Sequence, residues 1–132
     1  MPSLVESIAL SLSLACLTAC QTETESNEPV DLEDVVSLDE RPCPDDSTLS
    51  YENFGGPFVL SWCSGCHASA LPEGDRQGAP VGSDFDSGEQ IREAAPRIWS
   101  RSADHNTSMP PQAGPDDESR ERLGEWLACG AP

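Results

Sequence analysis

The stretch Cys63-Ser64-Gly65-Cys66-His67 puts two thiols and an imidazole side by side, in a chain with six cysteines and only two histidines. Three chemistries use such a set: a redox dithiol, a structural zinc site, or a haem held through two thioether bonds. Cys-x-x-Cys-His is the spacing of the last. Both thiols add to vinyl groups on neighbouring edges of one porphyrin, and the adjacent imidazole reaches the iron from the same face. A redox dithiol belongs at a helix start in a βαβ setting, whereas this pair closes an apolar stripe with no strand nearby. Zinc would want four ligands, and the chain could complete such a set only by recruiting His105, Cys43 and Cys129. The residues therefore predict one covalent haem c, attached at Cys63 and Cys66, with His67 on the iron.

A second axial ligand follows from the methionine count. Apart from Met1, the chain has one methionine, in Ser108-Met109-Pro110-Pro111. Pro110 biases Met109 toward extended backbone, and the two prolines stiffen the segment. A rigid, non-helical segment of this kind is suited to hold sulfur over iron. Met109 is the expected ligand and His105, four residues earlier, its competitor. With His67 and Met109 both on the iron, no position stays open for substrate. The expected role is outer-sphere one-electron transfer, not enzymatic turnover.

Three helical segments are expected to position these residues. Tyr51, Phe54, Phe58 and Trp62 recur at spacings of three and four, with Pro57 suited to a first turn. A second begins at the capping box Ser87-Gly88-Glu89-Gln90 and presents Ile91, Ala94, Ile98 and Ser102, with Pro96 kinking or interrupting it. In the third, acidic residues at 116–118 precede Leu123, Trp126 and Leu127, and Gly130 stops the helix. Residues 70–86 are rich in turn formers and read as a long loop. The expected class is a small all-α domain of about three helices with long loops. With 10 glycines, 12 prolines and 5% aromatic residues, the chain is poor in core material. A porphyrin would supply the missing interior.

Residues 1–19 read as a signal segment whose apolar run, Ile8–Leu17, is too short to span a bilayer. Glu6 stands where a basic residue usually precedes such a run, which points to a true start further upstream. Leu17-Thr18-Ala19-Cys20 resembles a bacterial lipobox, with Cys20 lipidated; an ordinary secretory signal is the alternative. Either reading places the domain outside the cytoplasm, in an oxidising compartment. Residues 20–42 read as an acidic, disordered tether and 43–132 as the folded domain. Cys43 and Cys129, left over once the other four cysteines have roles, are expected to pair. The net charge of −17, from 24 acidic residues against seven arginines, argues against nucleic acid or anionic lipid headgroups as partners. It suits a redox donor and acceptor with basic docking surfaces.

From Cys43 to Pro132 the chain resembles the class I cytochromes c of the short bacterial type. The resemblance rests on Cys63-Ser64-Gly65-Cys66-His67, on Met109-Pro110, and on a terminal amphipathic helix bearing Trp126. It implies a fold in which the first and last helices cross at a glycine eight residues before the first haem cysteine, the position of Gly55. The aromatic usual four residues before that cysteine is replaced by Val59, with Phe58 adjacent. It also implies a proline carbonyl accepting the proximal imidazole's free N–H, a role that falls to Pro80. The implied function is a monomeric, lipid-anchored electron carrier of the periplasm. Gln21 favours the outer membrane by analogy. The alternatives are a haem subunit docked on a dehydrogenase or oxidase and, further off, a peroxidase-like or ligand-sensing haem.

Overall fold

Ser50 and Ser87 each open a helical segment, and both do so by a reciprocal cap. The Ser50 hydroxyl accepts from the Asn53 N–H while the Asn53 side chain accepts from the Ser50 N–H, and Ser87 with Gln90 repeats the exchange. In the computed structural model, which describes residues 31–132, Ser50 leads into one π turn, Tyr51–Gly55, and then α1, Gly56–Trp62. Ser87 leads into α2, Gly88–Glu93; at Ala94 the chain turns, and α3, Ala95–Ser102, begins with Pro96 in its first turn. Pro96 thus interrupts the expected second helix and starts another, where its missing N–H is tolerated. The last helix, α4, Asp117–Ala128, is capped by the Asp116 carboxylate, which accepts from the Ser119 N–H. That hydrogen bond holds the Asp116 carboxyl below its usual range. Gly130 takes a φ of +85° just past the helix end.

Among the described residues there is no strand, and the class is all-α. The core forms where the inner faces meet: Phe54, Phe58 and Val59 from the first segment, Ile91, Ile98 and Trp99 from α2 and α3, and Leu123, Trp126 and Leu127 from α4. The first segment and α4 approach closely at Gly55. A side chain there would overlap the indole of Trp126, and Phe54 meets the same indole edge-on. Cys43 and Cys129 are joined in a disulfide, with Cα atoms 4.9 Å apart across a sequence separation of 86.

The chain joins the domain earlier than residue 43. Leu32, Val35 and Leu38, spaced by three, lie in or against the core, with Val35 only 4% exposed. Arg41 is buried and pairs with the buried Asp104 at 3.3 Å. Two 3-10 turns, Leu32–Asp34 and Leu38–Glu40, carry this segment. Its acidity suggests a solvated tether, but a short apolar stripe and one cation suffice to dock it. The signal segment 1–19, the lipidation expected at Cys20 and the tether up to residue 30 lie outside the described residues.

Candidate functional site

After α1 the backbone keeps turning through the motif. The Cys63 N–H still reaches the Val59 carbonyl, and the Cys66 and His67 N–H groups both reach the Cys63 carbonyl, at 3.1 and 3.0 Å. Residues at spacings of three and four on such a turn share one side. Cys63, Cys66 and His67 accordingly line one cleft of about 410 Å³. That volume lies within the range of roughly 300–1,000 Å³ typical of cofactor sites. Phe58, Trp62, Phe85, Ile98 and Pro110 give the cleft a largely apolar lining.

His67 is fixed by its ring nitrogen. Nδ1 lies 2.8 Å from the Ser83 carbonyl oxygen, so that nitrogen carries the proton and donates. In the neutral tautomer this leaves Nε2 as the nitrogen able to ligate a metal. The Phe85 ring stacks on the imidazole with centroids 4.5 Å apart, and the Phe85 N–H donates to the His67 carbonyl. Pro80 does not take the role expected of it. Its carbonyl accepts instead from Arg76, at 2.9 Å. Arg76 organises the loop that presents Ser83. Its buried guanidinium pairs with Asp84 at 2.6 Å and donates to the carbonyls of Ala68, Ala79, Pro80 and Ser83. Arg76, Ser83 and Phe85 are missed by sequence reasoning, which sees a turn-rich loop and cannot count which carbonyls converge. A lone arginine among so many carboxylates is the nearest thing to a signal.

Met109 lines the same cleft and is 38% exposed. Its backbone is held at both polar groups: the N–H donates to the Arg101 carbonyl at 2.8 Å, and the carbonyl accepts from Arg120 Nη1 at 3.0 Å. Buried Arg120, on α4, also donates to the carbonyls of Ser102 and Asn106, so one guanidinium pins the loop from α3 to Met109. Asp104 fixes the start of that loop, accepting from Trp99 Nε1 at 2.7 Å and from Arg41. His105 lies outside the cleft lining, exposed, with its ring edge-on to Trp99.

The rival chemistries can now be weighed on the donors themselves. A reactive dithiol needs a lowered thiol pKa, but burial first, and the neighbouring Cys66 second, push the Cys63 thiol up to about 12. Zinc loses two candidate ligands, because Cys43 and Cys129 are bonded to each other. Cys63 and Cys66 remain free thiols. Two free thiols, one imidazole whose Nδ1 is taken by a carbonyl and one thioether, all on an apolar cleft, fit a haem held by two thioether bonds. Comparison with protein-family models, with curated proteins and with solved structures returns no match to this chain.

Proposed function

We propose that this chain is a one-electron carrier of the bacterial cell envelope, a small cytochrome c-like domain around one covalent haem c. The observation that carries the reading is that Cys63, Cys66, His67 and Met109, from two distant stretches of sequence, line a single apolar cleft. When bound, the haem supplies an iron that cycles between ferric and ferrous states. Cys63 and Cys66 would hold it covalently, and His67 and Met109 would ligate its iron. The Ser83 carbonyl orients the imidazole. Arg120 and the Arg101 carbonyl keep the Met109 backbone from wandering, which favours an iron closed to outside ligands. The close approach of the first and last helical segments at Gly55 and Trp126 supports the cytochrome c-like fold. The apolar run before Cys20 supports export and lipid anchoring. The net charge of −17 suits redox partners with basic docking patches.

The test is production in a host with cytochrome c maturation, followed by a haem-stained denaturing gel and a pyridine haemochrome spectrum. A haem that stays with the chain through denaturation is expected, and a colourless chain overturns the proposal. In the same material, Met109→Ala should open the ferrous iron to carbon monoxide and lower the midpoint potential. An unaltered spectrum would pass the ligand role to His105.

A further inference from the structure

We infer that Arg97 and Arg101 form an anion-holding rim on this cleft and take the carboxylates of the molecule bound there; on the reading above, which this inference rests on, these are the two haem propionates. The charge distribution carries the argument. The chain has 24 acidic residues and seven arginines, yet the cleft is lined by Arg76, Arg97 and Arg101 and by no Asp or Glu. Five of the seven arginines are already engaged. Arg41 pairs with Asp104, Arg76 with Asp84, Arg92 donates to the Ala131 carbonyl, Arg120 serves three carbonyls and Arg122 lies 4.8 Å over the Phe54 ring. Among the described residues, only the guanidinium groups of Arg97 and Arg101 make no hydrogen bond, ion pair or cation–π contact. These two are the exposed arginines of the cleft.

Their placement fits a pair of anions. They stand four residues apart on α3, hence on one helix face with a rise of about 6 Å between them. Like charges at that spacing disfavour the helix by a few tenths of a kcal/mol, and an anion between or across them removes the penalty. The planar guanidinium matches a carboxylate with two parallel hydrogen bonds. A cleft that is apolar along Phe58, Trp62 and Ile98 and cationic at its rim selects a flat apolar body with an acidic edge. It discriminates against a neutral hydrophobic ligand of the same size. Positive charge there keeps the carboxylates ionised to lower pH.

The experiment uses matured holoprotein carrying R97Q/R101Q, with the midpoint potential measured across pH on the haem-bearing fraction. In the double variant the inflection due to the carboxylates should rise by about one pH unit or more, and the potential at neutral pH should shift. R97K/R101K keeps the charge but loses the fork, and should fall between. If the double variant does not accumulate, R97Q and R101Q alone should each move the inflection part of the way. An unchanged pH profile in haem-bearing variants overturns the inference and leaves the functional reading standing. Variants that keep the profile but lose salt-dependent electron exchange with a partner would also overturn it, marking the pair as a docking contact. A colourless wild type removes both.

Discussion

The Ser83 carbonyl accepts from His67 at 2.8 Å and from Arg76 at 3.1 Å, and the Ser83 hydroxyl lies 3.4 Å from the same imidazole nitrogen. Two donors share one oxygen, so the position of the imidazole depends on a guanidinium that never touches it. Arg76 is almost fully buried, and its partner Asp84 is largely so. Removing one member of such a pair leaves the other charge uncompensated, at a cost of roughly 3–5 kcal/mol, whereas replacing both with apolar residues of similar volume is far milder. Arg76→Met should therefore lower the unfolding free energy by about that amount, and Asp84→Leu in the same chain should restore part of it. The Ala79 carbonyl still loses its donor and three other carbonyls lose one of two in the double variant, so recovery stays incomplete. Denaturant unfolding of the matured single and double variants checks both, and strictly additive losses would show that the pair is not coupled.

At the scale of elements, the first segment can lie against α4 only because residue 55 has no side chain. Trp126 is fully buried, and a Cβ on Gly55 would overlap its indole ring, which is backed by Phe54 and Tyr51. The ring has no free direction in which to yield. Gly55→Ala should cost about 1–3 kcal/mol by overpacking, despite the better helix propensity of alanine. Thermal unfolding reads the loss directly, and an unmoved or raised midpoint would mean that the two segments pack differently. Features set within a few residues were legible beforehand: the Ser87–Gln90 cap, the interruption at Pro96, the apolar stripe of α4 and the stop at Gly130. Those that depend on convergence from afar were not. Nothing near Asp104 announces that Arg41, Trp99 and the N–H-to-carbonyl bond with Arg120 all meet it, nor that Gly124 leaves room for its carboxylate. Pro80 shows the same limit. A proline at the right distance was visible, but the loop turns so that Ser83 meets the imidazole instead.

Among the described residues, the start and the end of the domain are bound together. Residues 31–41 pack beside α3 and α4, the Cys43–Cys129 bond ties the start of the domain to its end, and the Tyr51 N–H donates to the Pro132 carbonyl. The pairing of Cys43 with Cys129 was legible because the other four cysteines have expected roles elsewhere. Docking of residues 31–41 was hidden by their acidity. A closed seam matters here because a net charge of −17 favours expansion. The cross-link acts chiefly on the unfolded chain. Closing a loop with a sequence separation of 86 removes entropy equivalent to about 4–5 kcal/mol on the chain-entropy estimate. Cys43→Ser with Cys129→Ser should therefore lower the unfolding free energy of the matured protein by up to that amount while leaving the visible spectrum of the folded state in place, since neither sulfur lines the cleft. Denaturant titrations followed separately by far-ultraviolet dichroism and by haem absorbance test it. Equal midpoints for the double variant and the parent would show that the bridge adds nothing to stability.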